Sequence, residues 1–286
     1  MIWECICPAS CGEIVQGVIY GREMLVSYTV DVWSKVRLRE VKNAKPSFYK
    51  AQKALYLSLK KLGLSDLYNH LEIAIDTDIP IGKGMSSSTA DICAVVGAVY
   101  KMVGQKPSPD EIAEIALSIE PTNGIMYEEV VLFDHLEGKI KKPLGFMPRS
   151  RILLLEGKGI VNTQDFRSRD FSGQLKENEE EFFKAYKLVE KGFEEGDIKL
   201  IAEGATKSAL LHQKILYKPY LEGILELVLK KGGLGINIAH SGTITAVIMD
   251  ENEDLERVKK AILKSPYRFF FEKIYEVRPV KGGIRI

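Results

Sequence analysis

Pro80-Ile81-Gly82-Lys83-Gly84-Met85-Ser86-Ser87-Ser88-Thr89-Ala90-Asp91 links an alternating segment, His70 to Asp76, to an almost wholly apolar one, Ala90 to Val103. Period-two alternation predicts a strand, and the apolar run closed by Gly104 predicts a buried helix. Glycines in the connection let backbone approach a ligand closely, and the first amides of a helix lack partners within it. The helix dipole favours negative charge at that end. Three serines and a threonine add hydroxyls, and Lys83 adds a cation. The stretch therefore reads as a phosphate cradle, formed by residues Pro80 to Ala90. Lys83 has two readings, a phosphate contact or a solvated loop lysine.

Two familiar nucleotide motifs do not fit. The P-loop needs G-x-x-x-x-G-K-(S/T), a spacing absent here. Gly82-x-Gly84-x-x-Ser87 is a degraded dinucleotide fingerprint, and about twenty residues on stand Met102 and Val103 rather than an acid for a ribose.

Around this loop the chain alternates strands and helices. Glu13 to Tyr20 and Glu23 to Tyr28 predict a hairpin turning at Gly21, and Asp31 to Val41 a half-buried strand. Pro46-Ser47 opens a predicted helix to about Leu62, and Ser108-Pro109 caps another through about Ile119. A soft domain boundary falls at Lys139 to Phe146. Beyond it come strand Arg151–Leu155 and charged helices Lys176–Phe193 and Asp197–Leu216, which suggest scaffold or a substrate lid. Helix Pro219–Lys231, strands Gly235–Ala239 and Thr243–Asp250, helix Glu253–Lys264 and strand Phe269–Val277 follow. That order predicts an α+β class.

The 286 residues carry 40 Lys+Arg against 39 Asp+Glu, a formal charge of +1 that leaves no global footprint for nucleic acid or anionic membrane. No apolar stretch reaches spanning length, and Glu4 interrupts what a signal peptide would keep apolar. A cytoplasmic location is expected. Cys5, Cys7 and Cys11 crowd the start and Cys93 stands alone. Their spacing is not the paired C-x-x-C of zinc sites, so buried or loop thiols are expected.

The central stretch resembles the P-x-G-x-G-L-x-S-S-(A/S)-A signature of the GHMP kinase superfamily, with Met85 for Leu and Thr89 for Ala as departures. CPASCGEIVQG (Cys7–Gly17) is similar to that family's early segment. Ile238-Ala239-His240-Ser241-Gly242-Thr243 sits where its late glycine-rich motif belongs, although only Gly242 is a glycine. The wording PASCGE-x-x-QG, PIGKGMSSSTAD and AHSGT further resembles the L-threonine kinases of cobalamin biosynthesis. The resemblance implies a two-domain GHMP kinase fold. A ribosomal-protein-like α/β domain would span 1–145, and a ferredoxin-like α+β domain 146–286. It implies ATP and Mg2+ as cofactors and a small hydroxylated amino acid as substrate, in a monomer or homodimer.

By the same resemblance Ser88 contacts magnesium and phosphates, and Glu120 is the second magnesium ligand or a plain helix-end glutamate. Asn123 takes the slot where many members place an aspartate near the attacking hydroxyl, and an amide cannot serve as a base at neutral pH. Asp134 is an alternative acid or a turn cap. Ser10, Cys11 and Glu13 are candidates for the substrate pocket, Glu13 for an ammonium, alongside His240, Ser241, Gly242 and Thr243. His240 reads equally as a structural histidine. Lys281 and Arg285 are expected in solvent. Homoserine or another small alcohol is the rival substrate, and a non-catalytic nucleotide-binding regulator is the rival class.

Overall fold

The computed structural model describes residues 1–46, 48–161 and 171–286. The chain opens with a long hairpin, β1 (Ile2–Ile19) and β2 (Arg22–Glu40), joined by Tyr20 and Gly21. Both turn residues have positive φ, 54° and 72°, as a two-residue type I′ turn requires. The early motif is thus part of β1 rather than a lead-in, and the two strands expected over 23–41 are one.

Register shifts between Pro8 and Val15 break the β1–β2 ladder, where Gly12 takes φ 62°. Such bulges bend a strand and re-aim its side chains. Here they redirect Ser10 and Glu13.

Helix α1 (Tyr49–Lys61) and strand β3 (Leu71–Thr77) follow; Ser47, placed at the predicted helix start, lies outside the described residues. Helix α2 (Ser87–Met102) is buried along Ile92 to Tyr100, which explains its lack of a polar face. It lies so close to β1 that a Cβ on Gly97 would sit 2.4 Å from the Cys5 sulfur. Helix α3 (Pro109–Leu117) begins with the expected cap, a reciprocal Ser108–Glu111 capping box. Strands β4 (Val130–Phe133), β5 (Lys141–Gly145) and β6 (Ser150–Gly157) come next.

The remaining helices are α4 (Ser172–Glu177), α5 (Glu179–Glu195), α6 (Ile198–Leu211), α7 (Leu221–Lys230) and α8 (Leu255–Lys264). Strands β7 (Gly235–Ile238), β8 (Ile244–Asp250), β9 (Phe271–Val277) and β10 (Pro279–Val280) complete the elements.

Among the described residues all ten strands join one sheet, ordered β5-β4-β2-β1-β7-β8-β6-β9, with β3 and β10 also on β2. Adjacent residues of β6 and β8 face opposite ways. Ile152, Leu154, Ala246 and Ile248 enter a core shared with α2, α5 and α6, and Leu153, Leu155, Val247 and Met249 one under α7 and α8. The sheet and the first core run across residue 145, and β1 meets β7 where Glu13 pairs with Ile238. That pairing brings the early and late motifs together.

Arg285, expected in solvent, is half buried, donating to the Lys281 and Gly282 carbonyls and lying over the Trp33 ring. All four cysteines are buried free thiols, and burial pushes Cys5 and Cys11 up to about 12.

Asp91 on α2 accepts from the Ser34 hydroxyl of β2 at 2.5 Å, and burial raises its carboxyl to about 6 against that bond. Between 3.8 and about 6 the folded state holds the extra proton, so stability falls as pH rises through that window. Asp91→Asn keeps an oxygen for Ser34 and removes the charge. It should stabilise the protein by about 2 kcal/mol at pH 8 and very little near pH 4, read by urea unfolding at both pH values. Equal gains at both would contradict this account.

Candidate active site

The loop before α2 is built on left-handed residues, Gly82 (φ 72°), Gly84 (φ 92°) and Ser86 (φ 59°). Ser86 occupies the N-cap position of α2 without capping it. Its hydroxyl instead lies 2.6 Å from Ser10 Oγ and accepts from the Asn123 amide. The first backbone bond into the helix is Ala90 N–H to Ser86 O, so the amides of Ser87 to Thr89 are left for a ligand.

Three segments far apart in sequence meet here backbone to backbone. The Lys83 carbonyl accepts from the amides of Thr243 and Ile244 at 2.9 and 3.1 Å, and the Met85 carbonyl from Ser10 N–H at 3.1 Å. A Cβ on Gly84 would lie 2.1 Å from Ala239 Cβ, and one on Gly242 2.2 Å from Lys83 O. Glycine at 84 and 242 is what permits the contact.

A cleft of about 560 Å³ opens beside this junction. Of the predicted phosphate loop, Gly82 and Gly84 to Thr89 line it, whereas Pro80, Ile81, Lys83 and Ala90 do not. Glu120 and Asn123 also line it. Ser88 Oγ donates to Glu120 Oε1 at 2.5 Å, and Lys50 of α1 binds Glu120 Oε2 at 2.6 Å. Asn123 Oδ1 is buried with no partner among the described residues.

Of the predicted substrate group, Glu13 and Ser241 line the cleft, and the others stand behind it. Ser10 fixes Ser86, and the Cys11 carbonyl accepts from Asn237 at 2.6 Å. Thr243 Oγ1 donates to Gly157 O at 3.3 Å. His240 is buried and gives Glu13 Oε2 two bonds, from its backbone N–H (2.8 Å) and Nδ1 (3.3 Å). Burial drops its pKa to about 3. It is therefore neutral and orients Glu13, the structural member of its two readings. Asp134 accepts from the amides of Leu136, Glu137 and Lys139, which makes it a turn cap.

Comparison with known proteins places this architecture. The GHMP kinases N terminal domain matches residues 49–126, and the GHMP kinases C terminal domain matches residues 189–268. An L-threonine kinase from Citrobacter freundii is 30% identical over 98% of both chains. One from Salmonella typhimurium is 29% identical over 98% of this chain and 94% of its own. This chain belongs to the GHMP kinase family. A homoserine kinase from Cytophaga hutchinsonii has the same fold, with TM-score 0.78 and 17% identity over 99% of this chain and 96% of that one. As a GHMP kinase of two domains, mixed helices and antiparallel sheet, it is an ATP-dependent phosphotransferase acting on an alcohol.

Lys83 fits neither of its readings in this kinase. Its side chain is buried, and its ammonium donates to Gly157 O (2.8 Å) and Glu272 (2.7 Å), with Glu156 at 3.7 Å. It faces away from the cleft and ties the loop to β6 and β9. Sequence reading missed Lys50, His135, His212 and Lys218, none of which lies in a motif. Lys218 is buried, donates to Gly242 O at 2.7 Å, and is lowered by burial to about 8.

Removing one partner of a buried pair strands the other charge. Lys83→Met should cost about 3 kcal/mol in urea unfolding, and adding Glu156→Gln should recover part of it. Wild-type stability in Lys83→Met would show that the tie carries no load.

Proposed function

We propose that this kinase transfers the γ-phosphoryl group of ATP to the hydroxyl of L-threonine, giving the O-phosphothreonine used in cobalamin biosynthesis. The observation that carries the reading is the cleft itself. The open amides of α2 and the Ser88–Glu120 pair form one wall, and the carboxylate of Glu13 stands at another. Identities of about 30% to L-threonine kinases over nearly full length support the choice of alcohol.

The phosphates would lie against Gly82 and Gly84 to Thr89, where amides and the helix end offset their charge. Ser88 Oγ and Glu120 Oε1 converge at 2.5 Å, a pair of hard oxygen donors that fits Mg2+, an ion that keeps several waters and takes few protein ligands. Bound there, Mg2+ would neutralise charge on the β- and γ-phosphates. Lys50 holds the second oxygen of Glu120 and so fixes the carboxylate.

Asn123 Oδ1 is an acceptor for the threonine hydroxyl. The bond orients an oxygen lone pair toward the γ-phosphorus and takes no proton. As the new O–P bond forms, the bond to the β-phosphate oxygen breaks, and the hydroxyl proton leaves to phosphate or water. Phosphoryl transfer through a loose transition state tolerates a late proton transfer, so positioning suffices. Glu13, held by His240, is the partner for the substrate ammonium.

The same reading extends to the rest of the molecule. The domains divide at 145/146, and the enzyme is cytoplasmic, a monomer or homodimer with no nucleic acid or membrane partner. Balanced charge supports the last point, and among the described residues no helix is long and apolar enough to cross a membrane.

Turnover with threonine, serine and homoserine measured side by side tests the substrate, and preference for homoserine would overturn it. Ser88→Ala and Glu120→Gln should each lose about 100-fold or more in kcat while folding normally, as for other transition-state charge contacts. Asn123→Asp should not raise kcat; a faster variant would show that a base is missing.

A further inference from the structure

Among the buried polar atoms without a hydrogen bond in the described residues, three belong to side chains on the cleft wall: Asn123 Oδ1, His135 Nε2, which has Glu23 at 3.8 Å, and His212 Nδ1. The surroundings of His212 define its chemistry most fully. It follows α6, is 3% exposed, and places Nε2 2.8 Å from the His240 carbonyl. A carbonyl only accepts, so Nε2 carries the hydrogen and Nδ1 of the neutral ring is a bare lone pair. Burial, helped by His240 and Lys218, holds the ring well below its ordinary pKa and keeps it neutral.

His212 and Glu13 both line the cleft. The His212 and His240 rings lie 4.1 Å apart, and His240 in turn holds Glu13. Leu175 and Ile215 add apolar surface to the same cleft. A carboxylate and a neutral acceptor side by side suit a small cationic group with several N–H donors, and a primary ammonium has three. Among the described residues, Lys218 is a cation near this group. Its ammonium is held by Gly242 O at 2.7 Å, and burial lowers its pKa to about 8.

We propose that His212 Nδ1 and the Glu13 carboxylate together hold the ammonium of the acceptor, so that the enzyme selects amino alcohols over alcohols lacking nitrogen. This rests on the cleft being the acceptor site of a threonine-class kinase. It assigns to His212 a specificity role that no motif marks.

Two substitutions separate that role from a structural one. His212→Gln can keep the bond to the His240 carbonyl and loses the atom at Nδ1. His212→Asn keeps an acceptor near Nδ1. Steady-state kinetics would use L-threonine and 3-hydroxybutyrate, the same alcohol and carboxylate without the ammonium. His212→Gln should raise KM for threonine by about 10- to 100-fold, the range for a hydrogen bond to a charged group, with KM for ATP changed far less. His212→Asn should recover much of the loss, and KM for 3-hydroxybutyrate should be weak in wild type and no weaker in His212→Gln. An unchanged threonine KM in His212→Gln, or equal losses for both substrates, overturns the ammonium site alone. Wild-type enzyme that phosphorylates none of threonine, serine and homoserine overturns the underlying reading of the cleft as well.

Discussion

The carbonyl oxygen of Lys83 receives two backbone hydrogen bonds from Thr243 and Ile244, at the start of β8. These bonds form only because Gly84 and Gly242 bring no side chains to the meeting point. The phosphate loop is therefore held against the strand that carries the late motif, and Ser10 N–H holds the next turn of the loop to β1. With both ends fixed, α2 presents its open amides in one direction. On that fixed helix start, Ser88 reaches Glu120, which Lys50 holds from the other side.

Fixing the loop through backbone contacts is also in keeping with a net charge of only +1. Among the described residues, three lysines near the site are already engaged. Lys83 is tied to Glu272 and Glu156, Lys50 to Glu120, and Lys218 to a carbonyl. Among the described residues, the loop side of the cleft offers a helix end and hydroxyls, with the carboxylate of Glu120 beside them. Such fixed dipoles need no reorganisation when charge develops, which suits electrostatic stabilisation of a transition state.

The sequence was most legible where chemistry is written locally. Pro80 to Asp91 announces a strand, a glycine loop and a helix through spacing alone, and Ser108-Pro109-Asp110-Glu111 announces its cap in four residues. Less legible was anything decided by pairing across the chain. Lys83 looks like a phosphate lysine until Glu272, 189 residues away, takes its ammonium. His212 ends an unremarkable charged helix, and only the fold sets its ring against the His240 carbonyl. The early motif misled for a related reason. Pro8 and Gly12 argue against regular strand, yet bulges let β1 run through them and turn the irregularity into a way of aiming Ser10 and Glu13.

Asn123 ties these strands of reasoning together. Its amide nitrogen donates to Ser86 Oγ, so the Ser86 hydroxyl hydrogen is free to point at Ser10 Oγ. These two bonds link Asn123, Ser86 and Ser10 and steady the one non-glycine residue of the loop held at positive φ. A carboxylate at 123 would have no hydrogen to give. Ser86 would have to donate toward it and could then only accept from Ser10, and a negative charge would sit beside the start of α2. The absence of an aspartate is thus built into the loop's own hydrogen bonding. The same residue that cannot act as a base is the one that holds the N-cap of α2 in place, with its buried oxygen left without a hydrogen bond among the described residues.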